Sequence, residues 1–295
     1  MAGFRAAALA ALGLTAACAT GPMMTGGGMA AGDRASFGGL LSPESVTYDA
    51  AADRYFVTNA GADVFGPSND GYIAILAPDG RVIEPRWAAA SDSQELISPL
   101  GSAIFGGSLY VCDRNRVRQF DLETGAQTGL LTVAGGQVLN DLAVAADGTV
   151  YVTDTGGEDP ASWKVYRITD DGAVSVFLQG EAIPRPNGLE LDPAGDVVVV
   201  ALGSNKVQVF AAADARLLES HELPVEGNDG VIALADALIV SSVFTGTIYE
   251  IDRTTGEIRL LADDLPSAAS IAYDPGRRRI VVPQLQASLV TFLPR

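Results

Sequence analysis

The feature that most limits what this chain can fold into is a unit that repeats. Residues 137–156 read as one strand, a tight Asp147-Gly148 turn and a second strand. Runs rich in Val, Ile, Tyr and Thr on either side of an Asp-Gly turn pair as a hairpin, because those side chains pack well on a pleated surface. The unit recurs. Ser42-Pro43-Glu44 leads to a run ending at Asn59, and Ser98-Pro99-Leu100 to one ending Cys112-Asp113. Leu139-Asn140-Asp141, Pro186-Asn187-Gly188, Asn228-Asp229-Gly230 and Ala268-Ala269-Ser270 open the other copies. A third run follows each pair, and most units add a turn and a fourth. A lone hairpin cannot bury its apolar face, whereas stacked copies can. Six units of about 40–50 residues predict an all-β fold, a six-bladed β-propeller with four-stranded antiparallel blades. The last unit runs out after three strands at Arg295. Residues 36–41 are the expected fourth strand, closing the ring and removing exposed edges. The insertions at 59–70 and 156–162 are expected to be loops on one face.

The N-terminus stands outside this pattern. Arg5 is the only charge before Asp33, and 4–17 is an apolar stretch too short to span a bilayer. Residues 1–18 therefore read as a signal peptide. Its end, Leu14-Thr15-Ala16-Ala17-Cys18, resembles the lipobox of bacterial lipoproteins, in which the cysteine is lipidated. Thr15 stands where a large aliphatic residue is usual, so ordinary cleavage nearby and release as a soluble exported protein is the alternative. Residues 19–35 read as a flexible tether with a reach of roughly 20–25 Å, followed by the propeller at 36–295. The expected location is the periplasm or cell envelope of a bacterium, with the lipid as the only attachment to membrane. The net charge of -17 opposes binding to nucleic acid or anionic lipid, and a monomer is expected. With Cys18 lipidated or removed, Cys112 is alone. It cannot form an intrachain disulfide and is expected to be a small buried hydrophobe.

In a propeller the innermost strands line a central channel, so equivalent positions on them form a ring. The position heading each first strand is Glu44, Leu100, Asn140, Asn187, Asp229 and Ala269. Four of these carry side-chain oxygens: two carboxylates and two amides. Converging hard oxygens without His or Cys suit calcium, which takes six to eight oxygen ligands and leaves room for water, a carbonyl or substrate. Two carboxylates balance a divalent cation. Without one, their repulsion must be relieved by protonation. The alternative is a polar plug satisfied by water and neighbouring strands. Asp141, next to Asn140, is expected to face away from the channel by strand alternation. There it would bond backbone between blades or hold a second, structural calcium. Asn59, Asp113 and Asp154 end second strands and are expected to bond exposed backbone there.

Ser-Pro-Glu at 42–44, Leu-Asn-Asp at 139–141 with Val-Tyr-Val-Thr-Asp at 150–154, Pro-Asn-Gly at 186–188 and Asp-Gly at 229–230 occur in order at blade spacing. In these motifs the chain resembles the gluconolactonase/senescence-marker-protein-30 family of six-bladed propellers over roughly 40–294, with paraoxonases as distant relatives. The resemblance implies a catalytic divalent metal on Glu44, Asn187 and Asp229, calcium or else zinc, manganese or magnesium. It implies that Asn140 lies at the metal or contacts substrate. It implies hydrolysis of a small-molecule lactone or related ester, with Asp229 as ligand and general base. The family's substrate-contacting residues have no clear counterpart here; Arg114 and Arg185 lie near the right loops. Paraoxonases use a histidine pair, and this chain has one histidine, His221, expected to be a solvated residue of an outer strand. A lone histidine and the lack of a Gly-x-Ser-x-Gly elbow argue against a Ser-His-Asp hydrolase. Strictosidine-synthase-like proteins share the fold without this metal chemistry, so fold alone does not decide function. The alternative function is a non-catalytic, calcium-plugged propeller lipoprotein that binds a ligand or partner protein.

Overall fold

The computed structural model describes residues 34–295 apart from 65, 67, 92 and 93. The expected signal segment, Cys18 and all but the last two residues of the expected tether lie outside the described residues. The rest is six four-stranded antiparallel sheets arranged as blades. From blade one to blade six the innermost strands are Pro43–Asp49, Pro99–Phe105, Leu139–Val144, Pro186–Leu191, Asn228–Ala233 and Ala272–Asp274. No α-helix occurs among the described residues; one 3-10 turn, Pro160–Ser162, sits in the second expected insertion. Both insertions join the second strand of a blade to its third, so both lie on the face where the innermost strands begin.

The burial of each strand follows its rank in the blade. Second strands are sandwiched between neighbouring blades on both faces, and Val197–Ala201 is buried throughout. That is why its sequence is an apolar run without alternation. Outermost strands have only one covered face, and Gln127–Thr132 alternates between half-buried and exposed. The core is therefore a set of packets between blades rather than one centre. Val198, Val200, Val207 and Val209 of blade four pack with Val231, Leu238, Val240 and Ile251 of blade five. Phe56, Ile73 and Ile75 of blade one pack with Leu109, Val111 and Phe120 of blade two.

Ala35–Phe37 supplies the fourth strand of blade six and pairs antiparallel with Leu289–Pro294. It begins one residue before the expected boundary. The hydroxyls of Ser36 and Thr291 lie 2.7 Å apart, and the Phe37 ring sits 4.9 Å from that of Phe292. The ring is thus closed by the first and last strands. Blade six differs from expectation at its inner edge, where regular pairing begins only at Ala272. Pro283, on the second strand, accepts from the Ala269 N–H but has no N–H to return. The segment turns to blade one instead: Ser270 N–H donates to the Glu44 carbonyl at 2.9 Å, and Val46 N–H to the Ser270 carbonyl at 3.2 Å.

The strand-end residues behave as expected. Asp113 Oδ1 accepts the N–H groups of Ile97 at 3.1 Å and Ser98 at 2.8 Å. Asp154 accepts those of Gln137 at 3.1 Å and Val138 at 2.8 Å. Asn59 Oδ1 accepts that of Leu41 at 3.1 Å. Cys112 is a fully buried free thiol. His221 does lie on the outermost strand of blade four, but it is half-buried rather than solvated, because Nε2 is held 2.6 Å from Glu219 Oε1. Truncating Phe37→Ala removes an aromatic contact that holds the closing strand. It is expected to destabilise the propeller by about 2 kcal/mol, read as a lower urea midpoint with an unchanged slope.

Candidate functional site

In blades one to five the innermost strand opens with a register shift against the second strand. Leu139 pairs with Asp154, for example, while Leu142 pairs with Val152. The same irregularity falls between Pro43 and Ser45, Pro99 and Ser102, Pro186 and Leu189, and Asn228 and Val231. A bulge of this kind bends the strand and re-aims its side chains. Each ring position lies inside its bulge.

A second repeated device holds the bulges. The Thr153 hydroxyl accepts the Asp141 N–H at 2.9 Å and donates to the Asn187 carbonyl of the next blade. The Ser241 hydroxyl accepts from Gly230 at 2.8 Å and donates to the Ala269 carbonyl at 2.7 Å. Thr58 accepts from Ser45 at 3.0 Å. Cys112 occupies the same position in blade two. Its thiol is pushed up by burial and by the nearby charges of Asp141 and Glu44, which keeps it protonated and inert. Gly188 stands where the next blade comes closest: a Cβ there would collide with the Asp229 backbone carbonyl. The side chain that would crowd Asp229 is therefore missing by necessity.

The four oxygen-bearing ring residues are buried, with Glu44 4%, Asn140 5%, Asn187 2% and Asp229 4% exposed. Each keeps one buried oxygen without a hydrogen-bond partner: Glu44 Oε2, Asn140 Oδ1, Asn187 Oδ1 and Asp229 Oδ1. Asn187 Nδ2 donates to Asp229 Oδ2 at 3.3 Å, tying blade four to blade five. Burial pushes the Glu44 carboxyl well above the usual range, and the charges of Asp229 and Asp141 push it further. Asp229 is raised by burial and by Asp141, and the Asn187 amide offsets part of this. Glu44 and Asp229 are therefore brought within electrostatic reach of each other, Asn187 contacts Asp229 directly, and Asn140 heads the adjacent blade.

These residues fit a hard cation. Carboxylate and amide oxygens are calcium-type donors, and four unpartnered oxygens at equivalent positions leave a demand that the neighbouring strands do not meet. Among the described residues no group of three or more His, Cys, Asp or Glu has metal-holding geometry, so a donor set here depends on the two amides.

Asp141 bonds backbone between blades as expected, but it does not face away from the channel. The bulge breaks strand alternation, so Asp141 follows Asn140 into the channel instead of facing away. Its carboxylate accepts N–H groups from Leu142 at 2.9 Å and from Leu189 of blade four at 3.1 Å. It also accepts the hydroxyl of Ser270 at 3.4 Å, on the opposite blade six. The carboxylate occupies the place a Cβ on Gly101 of blade two would take. One side chain thus links blades across the axis. Beyond it a cavity of about 530 Å³ extends toward the far ends of the inner strands, lined in part by Thr47, Ser102, Glu190 and Ser270. Burial raises Asp141 to about 7 and Glu190 likewise to about 7.

Arg114 and Arg185 lie on the loop face. The Arg114 carbonyl accepts the Leu139 N–H at 2.7 Å, just before Asn140, and Arg114 adopts a φ of 61°. Arg185 is exposed, precedes the innermost strand of blade four, and its carbonyl accepts from Leu202 at 3.0 Å. Sequence reasoning passed over the Thr58, Thr153 and Ser241 hydroxyls, which the repeat itself could have revealed. It also passed over Glu190 and Asn228, whose Oδ1 is buried without a partner. The Asn228-Asp229 pair mimics Asn140-Asp141 one register out, which hides Asn228.

The family model described as SMP-30/Gluconolactonase/LRE-like region matches residues 43–212. The chain belongs to this family. The match spans blades one to three and the three inner strands of blade four, including Glu44, Asn140 and Asn187, while Asp229 lies beyond it. Among solved structures, a candidate gluconolactonase from the Northeast Structural Genomics Consortium superposes with a TM-score of 0.66 at 17% identity, covering 90% of this chain and 93% of that one. The nidogen/laminin complex contains a chain with a TM-score of 0.60 at 16% identity, covering 73% and 78%. A catalytically inactive virginiamycin B lyase from Staphylococcus aureus, solved with quinupristin, gives 0.60 at 13% identity, covering 89% and 100%. These likenesses establish the propeller for the family member described here. No curated protein matches the sequence.

The raised Asp141 carboxyl sets a pH dependence. Its folded value of about 7 exceeds the unfolded one, so the folded chain holds a proton that the unfolded chain releases. Its contribution is fully present below about pH 4 and is lost as pH rises to about 7. Melting temperature against pH, with no divalent cation, should therefore fall more steeply over this window in the wild type than in Asp141→Asn. Parallel profiles would contradict the assignment.

Proposed function

We propose that this protein is a metal-dependent hydrolase of a small-molecule lactone or related ester. The divalent cation, calcium in the first instance with zinc, manganese or magnesium as alternatives, would be held by Glu44, Asn140, Asn187 and Asp229. The observation that carries this reading is the set of four buried, unpartnered oxygens at equivalent heads of inner strands, in a chain of the gluconolactonase-like type. Leaving such groups unmet costs about 1–3 kcal/mol each and more when charged, which ligation would remove. A bound divalent ion supplies Lewis-acid polarisation of the substrate carbonyl.

The protein's own groups would do the rest. Asp229 is fixed by the Asn187 amide and is the carboxylate proposed to orient the attacking water and take its proton. Water adds to the carbonyl carbon, the ring or ester C–O bond breaks, and the proton passes to the departing alkoxide. Asn140, Arg114 and Arg185 are the proposed substrate contacts. The leader and Cys18 extend the proposal to a lipid-anchored protein of the bacterial periplasm or envelope. Cys18→Ser is expected to shift the protein from the membrane fraction to the soluble fraction.

A second reading rests on burial. The four donors are at most 5% exposed, and the channel cavity lies beyond Asp141 from them. On this reading the cation only plugs a propeller that binds a ligand or partner protein. Turnover separates the two. The hydrolase reading predicts activity on a lactone panel that EDTA abolishes and calcium restores. It also predicts that Asp229→Asn lowers kcat by about 100-fold or more while metal affinity changes less. A plug predicts no turnover, with Glu44→Ala lowering the melting temperature all the same.

A further inference from the structure

Away from the channel, one cavity combines a buried, incompletely satisfied cation with several further donors. It measures about 400 Å³ and lies on blade two, where Gln94 and Glu95 enter the blade against its two outer strands. Arg116, Arg118, Gln127 and Thr132 complete its polar lining. Arg118 is 2% exposed. Its Nε donates to Asp113 Oδ2 at 2.7 Å and its Nη1 to Gln127 Oε1 at 2.9 Å. Its Nη2 is buried with no hydrogen-bond partner.

The bond to Asp113 has a structural purpose, because Asp113 holds the backbone entering the inner strand. It does not account for Nη2. A guanidinium nitrogen buried without an acceptor is costly, and nothing on the sheet requires that edge of the fork to be left open. Apart from the Glu95 carboxylate, which accepts from Arg116, the neighbours offer donors as well. Gln127 uses its carbonyl on Arg118, which leaves its amide hydrogens to give. Thr132 adds a hydroxyl. Among the described residues Arg116 pairs only with Glu95, and the Glu95 side chain is 58% exposed. An exposed pair of this kind contributes little, so Glu95 can turn to solvent when another anion takes its place. The volume exceeds that of a bare ion and falls in the small-ligand range. Leu130, 51% exposed, offers an apolar edge.

We propose that this cavity binds the oxyanion group of a small organic acid, carboxylate or phosphate, between the Arg118 and Arg116 guanidinium groups. Planar guanidinium forks match such groups geometrically. The site is independent of the channel and of the reaction proposed there.

Isothermal titration of the full calcium-treated protein at low ionic strength, with butyrate in one arm and inorganic phosphate in the other, tests this. Saturable binding of one anion per chain is expected. The tighter arm tells carboxylate from phosphate. Arg116→Ala and Gln127→Leu, at partly exposed positions, should each weaken binding by about tenfold. Arg118→Lys, which keeps a charge for Asp113 but removes the fork, should weaken it at least as much. If Arg118→Lys fails to fold, the other two variants decide. Absence of saturable binding in both arms, or equal binding in the wild type and every folded variant, overturns the proposal.

Discussion

Everything at the axis depends on two carboxylates, Glu44 and Asp229, being buried within electrostatic reach of each other. Among the described residues neither has a basic side chain as its partner, and Asp141 adds a third carboxyl nearby. Like charges buried this close together do not all stay ionised unless something positive joins them. Protons can do this at low pH, and a divalent cation can do it at neutral pH. The proposed ion would relieve this repulsion at neutral pH without protonating the carboxyls. The unpartnered amide oxygens of Asn140 and Asn187 fit the same ion.

The blades exist to hold this arrangement. In blades one to five the inner strand begins with a bulge that re-aims its side chains at the mouth of the channel. In blades three and five a hydroxyl on the second strand, Thr153 or Ser241, caps the bulge and reaches the carbonyl of the next blade. Gly188 lets blade five approach closely enough for Asn187 to touch Asp229. The closing strand Ala35–Phe37 matters for the same reason. An open ring would let blades one and six separate, and Glu44 is held to blade six through its own carbonyl and Ser270.

Much of this was legible in the sequence, and the parts that were not share a cause. The repeat gave the blade count, the closing strand, the ring register and the capping roles of Asn59, Asp113 and Asp154. These depend only on spacing and on local backbone bonding. Asp141 bonds backbone between blades as its sequence suggests, but strict alternation turns it away from the channel on paper, and nothing in Leu139-Asn140-Asp141 marks the bulge that turns it inward. The late start of the inner strand in blade six was hidden for a similar reason, since its cause is Pro283 on a different strand. His221 was expected to be solvated because its pairing with Glu219 is a feature of side-chain geometry. The anion pocket was invisible because Arg116 and Arg118 look like ordinary charges on a strand until burial shows that one of them lacks a partner.

The central claim is that Glu44, Asn187 and Asp229 together form one cation site. Calorimetric titration of calcium into EDTA-treated, dialysed protein tests it most directly, with Glu44→Gln and Asn187→Leu alongside. The account predicts one site per chain in the wild type, with affinity that rises with pH as the carboxyls lose their protons. It predicts that both substitutions abolish or strongly weaken that site in chains that still show a β-sheet spectrum. A wild type that takes up no divalent cation, or binding that both substitutions leave unchanged, would contradict it.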